Sequence, residues 1–75
     1  SYEKALEMAV QNVRGEARRF QYLLDSDRLT SYDKEAFVEL LQKNMTEGTL
    51  CTSLKILSEL LEKHHSCKVI LLIDE

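Results

Sequence analysis

Residues 68–75 read KVILLIDE, and the interpretation of this stretch decides which fold the sequence predicts. Five consecutive apolar residues are followed by Asp74 and Glu75. Periodicity alone cannot assign such a run, because a buried strand and a buried helical segment share the pattern. Its short length, its β-branched residues and the change of pattern at Ser66 favour a strand over 68–74. Since every position is apolar, that strand is expected to be covered on both faces, as in a parallel sheet.

Upstream of this strand, apolar residues recur at helical spacing in three segments. The first predicted helix spans 2–24, the second 31–44 and the third 47–65. Thr30 is the expected cap of the second helix, because an aspartate three residues later completes a capping box, and Thr46 is the expected cap of the third. The stripe that defines the first helix consists of Leu6, Val10, Val13, Ala17, Phe20 and Leu24.

The predicted fold is therefore mostly α, with a three-helix segment followed by a C-terminal β-strand. The chain offers no second strand candidate, although a two-sided apolar strand needs neighbours on its sheet. Other polypeptide would have to supply them, so the 75 residues are expected to be a fragment of a larger α/β domain. If the strand is exposed in isolation, self-association through its edge is also expected.

Composition limits the classes of protein and the compartment. The formal net charge is -3, which is not the strongly basic balance of a nucleic-acid-binding domain, although binding to nucleic acid stays undecided. The two cysteines are too few for the disulfide framework of a small secreted domain, so both are expected to be reduced thiols in the cytoplasm. No apolar run approaches the ~20 residues of a membrane-spanning helix.

The acidic pair that ends the chain suggests a specific chemistry. An apolar strand followed by Asp-Glu is the pattern of a Walker B segment in P-loop ATPases. Asp74 would hold Mg²⁺, and Glu75 would orient or deprotonate the attacking water. The alternative is that both acids lie where the strand meets solvent. The sequence contains no G-x-x-x-x-G-K-[ST] loop, so this chain alone is expected neither to bind ATP tightly nor to hydrolyse it.

Two other groups of polar residues have simpler explanations than a binding site. A zinc site at His64, His65 and Cys67 would lack ligands, because structural zinc takes four at paired spacings. Imidazoles at the C-terminal end of a helix, where positive charge is favourable, are the preferred interpretation. Three arginines in the first helix form a small basic patch, but Glu16 dilutes it, and a salt-bridged helix surface is favoured.

Two stretches, FQYLLDSDRLTSYDKEAFVELLQKN (20–44) and SLKILSELLEKHHSCKVILLIDE (53–75), resemble a known family. This is the predicted AAA-ATPase-like family of bacterial P-loop proteins, which often carry a restriction-nuclease-like domain further along. The resemblance implies that the chain is a fragment of an α/β P-loop NTPase domain. It implies that Asp74 is the Walker B aspartate on the magnesium side and that Glu75 is the acid beside it. ATP and Mg²⁺ would then be cofactors of the parent protein, whose remaining domain would be the partner of these residues.

Two functions from different classes remain open at this point. The first is a piece of an ATPase that carries the Walker B acids and is inactive alone. The second is a self-contained helical module for protein interaction, without a catalytic role.

Overall fold

The computed structural model describes residues 1–42 and 46–71. Within these ranges the chain forms helix α1 (Tyr2–Arg19), a 3-10 helix (Gln21–Asp25), helix α2 (Ser31–Gln42) and helix α3 (Glu47–His65). Each of the three α-helices contacts the other two, and the 3-10 helix contacts all of them. The described residues thus form a three-helix bundle, and the three helices predicted from apolar spacing are present.

The core draws on every helical element, which is why the bundle closes around one apolar centre. Phe37 of α2 is the largest fully buried side chain, and Leu23 of the 3-10 helix is equally inaccessible to solvent. Burying such a side chain contributes about 1.5–3 kcal/mol, so a few of them dominate the stability of a small domain. The buried apolar residues are Val13, Ala17, Leu23, Leu29, Phe37, Leu40, Leu57, Leu60 and Leu61.

The helix starts follow the capping signals in the sequence. The backbone N–H of Asp33 donates to the Thr30 hydroxyl over 3.1 Å, and the Thr30 N–H donates to the Asp33 carboxylate over 2.9 Å. At α3, the N–H of Thr49 donates to the Thr46 hydroxyl, and the Thr49 hydroxyl accepts the N–H of Thr46. Each reciprocal pair satisfies backbone groups that a helix start leaves open. The predictions for Thr30 and Thr46 are confirmed.

Asp33 also joins two helices. The Oδ2 atom that accepts the Thr30 N–H lies 2.6 Å from the Lys63 ammonium in the last turn of α3. The first turn of α2 is therefore beside the last turn of α3, so these two helices run antiparallel. The Lys63 ammonium and the Thr30 N–H together hold the pKa of Asp33 below its ordinary value.

The first helix ends earlier than predicted. The α-helix ends at Arg19, and Gln21–Asp25 continues as a 3-10 helix, although the predicted helix ran to residue 24. A 3-10 helix has three residues per turn instead of 3.6, which changes the residue that faces inward. Leu23 is fully buried, whereas Leu24, which the apolar stripe had placed inside, is 37% exposed.

The predicted strand at 68–74 is wrong for the residues that the structure describes. Residues 68–71 have no regular secondary structure, and neither 1–42 nor 46–71 contains a strand. Val69 and Leu71 instead pack half-buried against the helical core, while Ile70 is 84% exposed. A strand needs backbone partners, and the apolar side chains here find cover on the bundle instead. Over residues 1–42 and 46–71 the fold is a helical bundle without a strand, and 72–74 lie outside the described residues.

Replacement of Phe37 by alanine tests the core directly. Because this ring is fully buried, Phe37→Ala should lower the free energy of unfolding by about 3–5 kcal/mol, which a chain of this size can scarcely tolerate. Val38→Ala, at the neighbouring and more exposed position, should cost less than about 1 kcal/mol. Urea denaturation followed by far-UV circular dichroism measures both, and equal losses would contradict this core.

The Asp33 contacts predict an acid-dependent loss of stability. A folded-state pKa below the unfolded value of 3.8 means that the carboxylate stabilises the fold above that pH. This contribution should be lost as pH falls from 3.8 through the lower folded pKa. Denaturation midpoints of the wild type and Asp33→Asn should therefore differ at neutral pH and converge in acid. Glu35→Gln, at an exposed acid on the same helix, is the control and should follow the wild type throughout.

Candidate functional site

The residues with predicted chemical roles, Asp74 and Glu75, lie outside the described residues. Their assignments as metal ligand and catalytic acid therefore stay predictions. The described chain leads toward them through residues 66–71, which leave the C-terminal end of α3. What holds that end of α3 therefore determines the direction in which the chain continues.

A hydrogen-bonded cluster holds the C-terminal end of α3 against the segment that follows α1. We call it the histidine anchor, and it consists of Tyr22, Ser26, Arg28, His64 and His65. The Tyr22 hydroxyl lies 2.9 Å from Nε2 of His65, and the Ser26 hydroxyl lies 2.6 Å from Nδ1 of His64. The two imidazole rings meet edge to face with centroids 4.7 Å apart, and the Tyr22 ring lies 5.3 Å from that of His64. The contacts of Tyr22 and Ser26 with the histidines join residues about forty positions apart in sequence.

Arg28 completes the anchor at the helix end itself. Its Nη1 atom donates to the carbonyl oxygen of His64 over 3.4 Å and to the hydroxyl of Ser66. The last carbonyls of an α-helix lack partners within the helix and carry partial negative charge, so a guanidinium there is favourable. Ser66 ends α3 in the left-handed conformation, with φ of 58°. The chain therefore turns sharply at Ser66, and Arg28 contacts both the last turn of α3 and the turning residue itself.

We call residues 67–75 the tail, and its described part, 67–71, returns to the bundle after this turn. The backbone N–H of Val69 donates to Oε1 of Glu62 over 3.4 Å, one turn before the end of α3. Val69 and Leu71 contact the core, as described above. The turn at Ser66 thus folds the tail back along the helices instead of releasing it into solvent.

The local sequence explains why the anchor forms at this place. Ser26 is only 3% exposed, and its hydroxyl accepts the backbone N–H of Arg28 over 3.2 Å. Serine side chains favour such bonds to the backbone two residues later, which makes the loop compact. The compact loop brings Arg28 to the end of α3.

The geometry of the anchor suits attachment better than catalysis. The Ser26 hydroxyl is buried and already engaged by Arg28 and His64, so a substrate could not approach it as a nucleophile. One ring nitrogen of each histidine is committed to a tertiary hydrogen bond. Over 1–42 and 46–71, no three His, Cys, Asp or Glu side chains lie close enough to hold a metal ion together. The zinc alternative at His64, His65 and Cys67 gains no support from this geometry.

The sequence pattern indicated the histidines but not their partners. The run of Lys63, His64 and His65 indicated only favourable charge at a helix end. Tyr22 and Arg28 carried no comparable signal, because their contacts depend on how distant segments pack. The polar stretch around Ser26 indicated a turn, but not a turn that closes on α3.

No protein-family model, curated protein or solved structure matches this chain. The resemblance to the AAA-ATPase-like family therefore rests on the two sequence stretches alone. Among the helices of the described residues, none combines the length and the apolar character that crossing a membrane requires.

The left-handed residue at the end of α3 can be tested with two substitutions that both remove the Ser66 hydroxyl. Ser66→Ala keeps a Cβ in a conformation that disfavours one, whereas Ser66→Gly removes it. The glycine variant should therefore be more stable than the alanine variant by about 1 kcal/mol. Thermal and urea denaturation measure the difference, and an alanine variant that equals or exceeds the glycine variant would contradict a left-handed Ser66.

Proposed function

We propose that this chain contributes the Walker B acids of an AAA-like P-loop ATPase and is inactive by itself. The observation that carries the proposal is the apolar run that ends in Asp74 and Glu75 directly after α3. The similarity of residues 20–44 and 53–75 to the AAA-ATPase-like family adds to it. The second part of the proposal follows from the missing glycine-rich loop, since nothing in this sequence cradles phosphates.

The roles of the two acids follow from the chemistry of phosphoryl transfer. Mg²⁺ keeps most of its water ligands and takes few carboxylates, so one aspartate beside the nucleotide is sufficient. Asp74 has this role in the proposal. Glu75 then orients or deprotonates the water that attacks the terminal phosphate. ATP and Mg²⁺ belong to the complete protein, and the rest of its ATPase domain is the partner of these residues.

The described geometry supports a contact between the tail and further polypeptide. Val69 and Leu71 lie against the bundle, while Ile70 between them is 84% exposed. An exposed isoleucine next to two packed apolar residues leaves one side of the tail without cover in the described chain. The histidine anchor fixes the start of this segment, so its uncovered side has a defined position relative to the helices.

A second candidate function is a self-contained helical module for protein interaction. The described residues favour it in one respect, because they close a core from α-helices and a 3-10 helix without any strand. The tail then serves to cover that core, and the two acids at its end are solvated.

Substitution of Glu75 in the complete natural protein separates the two functions. Glu75→Gln should lower the rate of ATP hydrolysis by about 10²–10⁴-fold, the usual contribution of a general base, while ATP binding is retained. Asp74→Asn should weaken the Mg²⁺ dependence of the same reaction. A coupled assay for phosphate release and equilibrium binding of a fluorescent ATP analogue measure these effects.

Glu59→Gln is the matched control, because Glu59 is an exposed acid on α3 remote from the tail in sequence. Its hydrolysis rate should equal that of the wild type. If the natural protein hydrolyses ATP equally well with Glu75→Gln, the catalytic role is wrong. If the natural protein without any substitution neither binds nor hydrolyses ATP, the helical interaction module becomes the better description.

A further inference from the structure

Cover and exposure alternate along the described part of the tail. Val69 and Leu71 are half-buried and pack against the core, whereas Ile70 between them is 84% exposed. Successive side chains of an extended segment point to opposite sides, so this order is that of an extended chain lying on a surface. The surface is the helical bundle itself, since neither 1–42 nor 46–71 contains a strand.

The tail runs along α3 in the direction opposite to that of the helix. Its backbone is tied to α3 where the N–H of Val69 donates to Oε1 of Glu62 over 3.4 Å. Because the chain has turned back at Ser66, the tail is directed toward the N-terminal end of α3. Lys63, which contacts α2, lies about 100° further around α3 than Glu62, so the tail and α2 occupy different sides of this helix.

A row of four half-buried residues lies on the side of α3 that the tail contacts. Its members are four positions apart, and residues at this spacing are neighbours on a helix surface. The row begins at Glu62 and continues toward the N-terminal end of α3 through Ser58, Leu54 and Leu50. The Ser58 hydroxyl already donates to the carbonyl oxygen of Lys55 over 2.9 Å, so it requires no partner in the tail. We call these four residues the α3 row, and beyond Glu62 they offer mainly apolar surface.

We propose that the α3 row is the docking site of residues 72–75, which lie outside the described residues, with Ile73 on Leu54. Four helical residues advance about 6 Å and two extended residues about 6.6 Å, so alternate residues of the tail keep step with the row. The first contact of this register is the observed one between Val69 and Glu62. The later pairs in the register are Leu71 with Ser58, Ile73 with Leu54 and Glu75 with Leu50.

This register gives two adjacent apolar residues opposite environments. Ile73 covers Leu54, whereas Leu72 points away from the bundle, on the same side of the tail as Ile70. The outward pair is then the apolar surface that the chain offers to further polypeptide. The docking concerns one copy of this chain, so it does not depend on the ATPase assignment.

Alanine substitutions at the two positions test the register by urea denaturation. Ile73→Ala should lower the folding equilibrium constant about ten-fold, because it removes apolar contact with α3. Leu72→Ala removes the same number of carbon atoms and is the matched control, which should change the constant less than about two-fold. In a Leu54→Ala background the effect of Ile73→Ala should shrink, since the two side chains touch. Equal effects of the two substitutions, or a larger effect of Leu72→Ala, would overturn the proposal.

A disulfide tests the path of the tail without relying on stability. Cys51 is exposed on α3 beside the α3 row, three positions before Leu54. In a chain that carries Cys67→Ser, Glu75→Cys should bridge to Cys51, since a disulfide requires Cα atoms within about 7 Å.

The control for the disulfide moves the α3 thiol by one position, with Cys51→Ser and Thr52→Cys, which turns it about 100° away around the helix. In a glutathione redox buffer the thiol at position 51 should cross-link at least about ten-fold faster than the thiol at position 52. Mass spectrometry of the intact chain measures both rates. Equal rates, or no cross-link from position 51, would contradict docking on the α3 row.

Discussion

The helical bundle depends above all on the complete burial of the Phe37 ring in its core. This ring lies in a core to which α1, α2, α3 and the 3-10 helix each contribute. A chain of this size buries only roughly 60% of the surface that its unfolded form exposes, so its core has little redundancy. Polar contacts such as Asp33 with Lys63 orient the helices around that core, and exposed ion pairs of this kind add little free energy themselves.

The contacts at the C-terminal end of α3 bear on the proposed function, because the segment that carries Asp74 and Glu75 follows this end. Lys63 contacts α2, His65 contacts the 3-10 helix, and Arg28 from the intervening loop contacts Ser66. Several separate segments therefore hold one helix end. The tail that leaves this end has a fixed beginning, and this is the property that positioning an acidic pair beside a nucleotide would require.

Local signals in the sequence predicted much of the fold, and contacts between distant residues account for the remainder. Thr30 and Thr46 were identifiable as caps because a capping box involves residues only three positions apart. The 3-10 helix was not, because Leu24 continued the apolar stripe while tertiary packing selected Leu23 instead. Residues 68–71 were misassigned as a strand because an unbroken apolar run indicates that its side chains are buried, but not against which surface.

Local sequence patterns likewise indicated only part of the candidate site. Asp74 and Glu75 could be proposed from a short pattern, whereas Tyr22 became part of the histidine anchor only through packing.

Helix α3 runs without interruption from its cap to the turn at Ser66, and each residue advances it by 1.5 Å and 100°. One inserted or deleted residue would rotate the anchored end away from its partners and redirect the tail. Substitutions at exposed positions of α3 before its anchored end can leave the helix in place, whereas a change in its number of residues would move that end.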